Sequence, residues 1–236
     1  MKTSYVAASA AVALCAASVA SAAVTFSGSS GSKSASVSFD VQGSNLIVIL
    51  TNTSNADVLV PVDVLTGVFF DVAGATVNFS RISAVLNTGS TVTNGGTTEG
   101  ANGVGGEWAA LNSLSGGPGN RKYGISSSGL GLFGPGDRFT STNLDGPASP
   151  DGLQYGITSA GDNDATGNTG VMTPLIKNSV KFTFGNASGF DLGRIGNVWF
   201  QYGTDLSEPG YEGNIPSPGS LALLGLAGVV VGRRRR

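Results

Sequence analysis

A short polar segment of the chain has the residue types that bind a hard cation. Residues 161–168 read GDNDATGN, with carboxylate and amide oxygens ahead of Gly167. Ca²⁺ takes roughly six to eight oxygen ligands, and a loop of this kind supplies them. Counted from Asp162, the glycine matches the sixth position of an EF-hand loop, but Thr173 stands where that loop has its bidentate Glu. Asp162 and Asp164 are candidate calcium ligands, and a polar surface turn is the alternative.

Four carboxylates are candidates for glycoside hydrolysis, whose mechanism needs two carboxyl groups at a suitable separation. They are Glu107, Asp137, Asp145 and Asp151. Each lies beside Gly or Pro, as a turn residue does, and nothing in the sequence pairs them. A carboxylate-dependent secreted hydrolase is therefore one alternative, and solubilising surface charge is the other.

Aromatic residues provide a third kind of candidate site, a platform that stacks on sugar rings. The candidates are Trp108, Trp199, Tyr123, Tyr155 and Tyr202. In a strand over residues 198–202, alternate side chains point to opposite faces. Either Trp199 faces the core or its neighbours Val198 and Phe200 do, and only the second arrangement leaves the indole outside. Core packing is the alternative for all five residues.

Several catalytic classes lack the residues that they need. The chain has no histidine, and its one cysteine is Cys15, near the N-terminus. The sequence beyond Cys15 has no thiol and no imidazole, which excludes Cys/His zinc sites, disulfides and nucleophiles paired with histidine. We therefore expect no catalytic residues and no cofactor other than the candidate calcium ion.

The charge of the central region argues against nucleic-acid binding. All fifteen acidic residues lie between Asp40 and Glu212. Five of the thirteen basic residues, Lys2 and the four arginines at 233–236, lie near the two ends. The eight that remain leave the body with a net charge of −7. A nucleic-acid site needs a basic patch to neutralise phosphates.

The composition favours short strands joined by turns. The chain has 37 glycines, and Gly, Ser, Thr and Asn all rank low in helix propensity. Several windows alternate apolar and polar residues, which is typical of a half-buried strand. The strands predicted in this way cover residues 35–41, 45–50, 65–72, 75–86, 179–184 and 195–202.

The order of these windows predicts an all-β domain over residues 23–213. We expect 45–50 to form a hairpin with 35–41, and 65–72 to pair with 75–86 across Ala73 and Gly74. Residues 107–114 are predicted to form one helical turn. Many short strands with turn signals indicate a two-sheet antiparallel β-sandwich that is jelly-roll-like. A signal helix precedes it, and a short hydrophobic helix follows it.

The N-terminal residues 1–22 have the pattern of a secretory signal peptide. Lys2 supplies a positive charge, residues 5–17 are small and apolar, and Ala20 and Ala22 match the small-x-small cleavage pattern. The apolar run is shorter than the roughly 20 residues of a membrane span. Leu14 is too large for the residue before a lipidated cysteine, so we expect cleavage after Ala22.

The C-terminal residues 214–236 have three parts in a fixed order. A proline pair comes first, residues 221–231 are apolar throughout, and an arginine run closes the chain. The arginines favour the cytoplasmic side of the membrane, and the apolar stretch is short for a permanent span. The predicted sorting residues are Pro216, Ser217, Pro218, Arg233, Arg234, Arg235 and Arg236.

This order resembles the PEP-CTERM sorting signal of exosortase substrates, in which a Pro-Glu-Pro motif precedes a hydrophobic helix and an arginine cluster. Ser217 replaces the central Glu here. Residues 52–71 and 197–209 are also similar to exosortase-dependent surface proteins of the XDD type. The resemblance implies processing by a membrane exosortase and delivery to the surface of a Gram-negative-type bacterium. An ordinary C-terminal membrane anchor is the alternative.

Together these features predict a non-enzymatic secreted protein of the cell surface or the extracellular matrix, associated with exopolysaccharide. The expected partners are the exosortase, the secretion machinery and polysaccharide, with transient insertion into the inner membrane and no nucleic acid. A carbohydrate-binding module is the first alternative, and the carboxylate-dependent hydrolase is the second.

Overall fold

The computed structural model describes residues 22–148 and 150–215. The predicted signal helix, the C-terminal hydrophobic helix and all seven sorting residues lie outside the described residues. Ala20 lies outside them as well, and Ala22 is the first residue described. Within the described ranges, no helix is both long and apolar enough to cross a membrane.

The described part is nearly all β-structure, as the sequence predicts. Its helical elements are single 3-10 turns of three residues. The strands are β1 (Val24–Ser30), β2 (Lys33–Gln42), β3 (Asn45–Asn52), β4 (Leu65–Val72), β5 (Ser80–Leu86), β6 (Thr91–Val92), β7 (Ala109–Leu111), β8 (Tyr123–Ser126), β9 (Ile157–Thr158), β10 (Ile176–Lys177), β11 (Ser179–Gly185), β12 (Ile195–Tyr202) and β13 (Gly210–Gly213).

These strands form two sheets. The five-stranded sheet has the order β1-β2-β3-β11-β5. The eight-stranded sheet has the order β13-β12-β4-β9-β10-β6, with β8 beside β4 and β7 beside β8. Pairing is antiparallel except between β9 and β10. Strand β3 lies in the middle of its sheet and forms the predicted hairpin with β2, which confirms that part of the prediction.

Two-residue turns connect β1 to β2 and β2 to β3, and each contains a glycine with positive φ. The values are 61° at Gly31 and 63° at Gly43. Residues with a Cβ rarely adopt this conformation, so glycine is the residue that such a turn favours.

The main core lies between the two sheets. Alternate residues of β2 and β3 are buried, and they meet the inward side chains of the other sheet. Phe39 of β2 contacts Phe70 of β4, with 5.0 Å between ring centroids. Trp108 contacts Phe182 of β11 at the same centroid distance. The two sheets therefore pack on each other as in a β-sandwich.

The predicted pairing of 65–72 with 75–86 is wrong. Strand β4 has β12 on one side and β8 on the other, so no edge remains free along most of its length. The chain crosses to the five-stranded sheet, where β5 pairs with β11. Arg194 secures the crossing, because its guanidinium donates to the carbonyl oxygens of Ala73 and Ala75 at 2.7 and 2.6 Å.

The predicted helical turn at 107–114 is also wrong for most of its length. A single 3-10 turn covers Gly105–Glu107, and residues 109–111 then extend as β7, paired with β8. The burial of Ala109 and Ala110 in a sheet outweighs their local preference for helix.

The first and last strands meet at one edge of the fold. Ser27 of β1 exchanges two backbone hydrogen bonds with Asn214, at 2.9 and 2.8 Å. Close by, the hydroxyl of Tyr202 donates to the carbonyl of Ser34 and lies 2.8 Å from that of Tyr211. Burial raises the pKa of both phenols, that of Tyr211 to about 12. These bonds join the two sheets and close the sandwich on that side.

Candidate functional site

The structure separates the aromatic candidates into buried and surface residues. Trp108, Tyr155 and Tyr202 have no exposed surface and belong to the main core. In β12, Val198 and Phe200 face that core, whereas Trp199 lies on the opposite side of the sheet and is half-buried. Trp199 is therefore the only one of the two tryptophans that a ligand can reach.

The indole of Trp199 has close neighbours within the protein. The guanidinium carbon of Arg121 lies 5.2 Å from the ring centroid, a cation–π contact. The indole nitrogen donates to the side chain of Gln201 at 3.1 Å. Arg121 is itself positioned by the carbonyl of Asn197 and by an ion pair with Glu212 at 3.3 Å. Arg121 and Trp199 thus form a rigid pair on the outer face of the eight-stranded sheet.

An open cleft with a volume of about 420 Å³ has Asp71 in its wall. Asp71 is connected to Arg121 through Asn197, which donates to the Asp71 carboxylate and accepts from Arg121. Ligand sites have volumes of roughly 300–1,000 Å³. Lys122, the neighbour of Arg121 in the chain, is part of its wall. The lining residues are Asp71, Val72, Gly74, Thr76, Asn112, Ser113, Leu114, Lys122 and Tyr123.

Hydrogen bonds inside the protein hold the polar walls of the cleft in place. The carboxylate of Asp71 accepts from the backbone N–H of Lys122 and from the side chain of Asn197, both at 3.0 Å. Asn112 donates to the carbonyl of Phe79 at 2.9 Å. The hydroxyl of Tyr123 donates to the carbonyl of Val77 and accepts from its N–H. These contacts join β4, β8 and β12 into one preformed wall.

The chemistry of the cleft suits a hydroxylated ligand. The Lys122 ammonium and the hydroxyls of Thr76 and Ser113 make no hydrogen bond to the rest of the described chain. They offer donors and acceptors beside the apolar side chains of Val72 and Leu114. A few convergent polar groups on a partly apolar surface are typical of small-molecule sites.

The four carboxylates proposed for hydrolysis do not line this cleft. Glu107 is fully buried and accepts from the backbone N–H groups of Leu144 and Asp145. Asp137 accepts from the N–H of Gly134 at 2.8 Å. Asp145 accepts from the hydroxyl of Thr173, and Asp151 is exposed on a loop. The geometry thus gives Glu107 and Asp137 structural roles in holding loops.

The proposed calcium ligands also make contacts within the protein. Asp162 is buried and accepts from the N–H of Val58 at 2.8 Å. Asp164 is exposed, and its carboxylate lies 3.8 Å from the Lys177 ammonium. Among the described residues, no group of three or more His, Cys, Asp or Glu side chains is arranged to hold a metal. The calcium site stays a prediction, without support from this geometry.

Sequence reasoning did not identify Asp71, Asn112, Arg121 and Lys122 as site residues. One signal was present, because Arg121, Lys122 and Tyr123 put two cations beside an aromatic residue in a chain with few cations. No local sequence pattern indicated that Asp71 lines the cleft, because its position beside Asn197 depends on the register between β4 and β12.

No protein-family model matches the chain, and neither the curated proteins nor the solved structures provide a match.

Proposed function

We propose that the chain is a non-enzymatic protein of the cell surface or extracellular matrix, exported and then sorted by an exosortase. The observation that carries the proposal is the combination of the export signal at residues 1–22 with the proline pair, apolar stretch and arginine run at residues 214–236. The protein is held briefly in the inner membrane, processed, and left at the outer envelope or in an exopolysaccharide matrix.

We also propose that the sandwich is jelly-roll-like. Two features of the connectivity support this finer description. The chain crosses between the two sheets repeatedly, at β3–β4, β4–β5, β5–β6, β10–β11 and β11–β12. Early strands also pair with late ones, since β3 lies beside β11 and β4 beside β12. Such pairing of the two halves of a chain is a feature of jelly rolls.

The sorting proposal is tested by replacing the four arginines at 233–236 with glutamine, with a four-lysine replacement as the matched control. Glutamine removes the charge that favours the cytoplasmic side, whereas lysine keeps it. We expect wild type and the lysine variant to reach the surface with the same mature mass, lacking residues 1–22 and the C-terminal tail. We expect the glutamine variant to keep its tail or to change compartment.

Cell fractionation and intact-mass analysis make this measurement. The same compartment and the same mature mass for the glutamine variant would contradict sorting through this tail. A wild-type protein that keeps its full C-terminus at the surface would favour an ordinary membrane anchor.

A second candidate function is carbohydrate binding in the cleft. The observation that favours it is an open cleft of about 420 Å³ with polar groups that have no partner in the described chain. Trp199, on the outer face of β12, is a partly exposed indole that a long glycan can also reach. We expect the protein to bind a polysaccharide, and Trp199→Ala or Lys122→Ala to weaken binding by about tenfold, equivalent to about 1.4 kcal/mol.

Glycan-array binding followed by titration checks this prediction. Lys177→Ala is the control, because it removes a lysine that lies outside the cleft. Trp108→Ala is unsuitable, since that residue lies in the core. Binding to no polysaccharide, or equal loss in the control, would rule out the cleft as a glycan site.

A further inference from the structure

The outer face of the five-stranded sheet has an unusual composition. Residues facing the core alternate with residues facing outward, and the outward ones are mostly Ser, Thr and aliphatic side chains. Of the outward-pointing residues in these five strands, two are charged: Asp40 and Lys181. The outward face includes Ser36, Ser38, Asp40, Ile47, Ile49, Thr51, Lys181, Thr183, Ile82, Ser83 and Val85.

An aliphatic patch lies in the middle of this face. Ile47 and Ile49 project from the central strand β3, and Val85 projects from β5 at the edge. A bulge in the pairing of β5 with β11 turns Ile82 outward, where its side chain lies beside Gly185. Ile82 is 49% exposed. Ile47, Ile49 and Val85 are each partly exposed, so the face offers apolar contact area to a partner.

The two charges are arranged symmetrically about the point midway between Ile47 and Ile49. Asp40 of β2 is paired with Ile47, and Lys181 of β11 is paired with Ile49. Asp40 and Lys181 therefore lie one strand to either side of β3 and two residues apart along it. With strands about 4.8 Å apart and a rise of about 3.4 Å per residue, the two Cα atoms are about 12 Å apart. Their midpoint falls on β3, between Ile47 and Ile49.

Neither charge has a counterion in the described part of the chain. The ion pairs there join Lys33 to Asp63, Arg121 to Glu212 and Lys177 to Asp164. Asp40 accepts a hydrogen bond from the neutral side chain of Gln42. One positive and one negative group thus remain available on an otherwise uncharged surface.

We propose that this face binds the same face of a second copy of the chain, forming a twofold-symmetric dimer. The two charges exchange positions under a twofold axis that lies parallel to the sheet. This axis passes over the midpoint between Ile47 and Ile49 and is perpendicular to the line that joins Asp40 to Lys181. Asp40 of each copy then lies over Lys181 of the other, so the dimer contains two identical ion pairs.

The same axis brings the isoleucines of both copies together at the centre. In a flat-sheet approximation, the strands of the two copies cross at about 70°, near the orthogonal class of sheet packing. The serine side chains around the patch are small and allow the two faces to approach. The two faces are thus complementary in charge without any rearrangement of the sheet.

A second copy fits this face better than a glycan. The face has no aromatic side chain to stack on a sugar ring. Its negative and positive charges, by contrast, match those of a second copy that is related to it by a twofold rotation. The flat area of about 500 Å² per copy, from strand spacing and rise, is below the standard interface of about 800 Å² per partner. The dimer is therefore expected to dissociate on dilution.

Sedimentation velocity of the purified full chain in a mild detergent tests the proposal over a wide concentration range. We expect wild type to pass from monomer to dimer as concentration rises. Asp40→Lys or Lys181→Asp alone brings like charges together and should raise the dimer dissociation constant by at least about tenfold. The double variant carrying both changes restores two ion pairs and should return it to within about threefold of wild type.

Asp151→Lys is the control for a change of charge alone, because it lies on an exposed loop outside the five-stranded sheet, and it should dimerise as wild type does. Far-UV circular dichroism verifies that each variant is folded. A monomeric wild type at every concentration, or single variants that dimerise as well as wild type, would overturn the proposal. So would β3 and β11 amides that exchange more slowly when a neutral polysaccharide such as dextran is added but not when the protein concentration is raised, which would assign the face to a glycan.

Discussion

Replacing Trp108 with alanine is expected to lower the free energy of unfolding by about 3–5 kcal/mol. The indole has no exposed surface and packs edge-to-face on Phe182 of the opposite sheet. Its removal opens a cavity in the core between the two sheets, which the surrounding strands fill only in part. Urea unfolding of the purified protein, followed by far-UV circular dichroism, measures the change.

Two further variants separate the contribution of burial from that of residue type. Trp108→Phe keeps an aromatic ring and removes an indole N–H that is buried without a hydrogen-bond partner, so we expect a loss of about 1 kcal/mol. Trp199→Ala removes a half-buried indole and should cost about 1–2 kcal/mol. An equal loss for Trp108→Ala and Trp199→Ala would contradict the assignment of Trp108 to the core.

Replacing Glu107 with alanine is expected to destabilise the protein by about 2–4 kcal/mol. The carboxylate is fully buried and accepts hydrogen bonds from the backbone of Leu144 and Asp145. Alanine leaves those N–H groups without this acceptor, at a cost of about 1–3 kcal/mol for each buried group left unsatisfied. The loop that contains them should loosen before the sheets unfold.

Hydrogen exchange at the amides of Leu144 and Asp145 reports on this loosening directly, and urea unfolding gives the global change. Glu107→Gln is the matched control, because both bonds go to the same oxygen, Oε1, and a glutamine amide oxygen in that position still accepts them. We therefore expect a clearly smaller loss than for alanine. Unchanged exchange at both amides in Glu107→Ala would show that the carboxylate does not hold the loop.

The strands of the fold could be predicted where apolar residues alternate strongly. The predicted windows 65–72 and 195–202 coincide with β4 and β12. Strand β1 was not predicted, because Ser and Gly fill most of its positions and Phe26 is its one well-buried side chain. Strand β13 was missed for a similar reason, since it is short and has glycine at both ends.

Partners between strands were predictable only over short distances. The β2–β3 hairpin follows from a two-residue turn at Gly43. The pairing of β4 with β12 joins residues more than a hundred positions apart, and no local pattern encodes it. The prediction that 65–72 pairs with 75–86 is wrong because β4 has β12 on one side and β8 on the other.

The candidate site shows the same contrast between what the local sequence indicates and what long-range packing decides. The sequence selected Trp108 and Trp199 as equivalent candidates, and only packing distinguishes them: one indole fills the core, and the other lies beside Arg121 on the surface. It also selected Glu107 as one of four carboxylates for a hydrolytic pair, whereas in the fold that carboxylate holds a loop. The cleft is formed by residues from two strands, β4 and β8, and from the loops next to them, so its volume exists only after folding.

The sequence by itself determined the class of structure and the residue types that are available for chemistry. Low helix propensity and period-two alternation act between neighbouring residues, and the lack of histidine and of a second cysteine is a matter of composition. The tertiary structure decided which strands are neighbours, which tryptophan is reachable, and how Asp40 and Lys181 are placed about Ile47 and Ile49. Those properties depend on contacts between residues that are distant in the chain, and the register between strands sets them only when the two sheets have formed.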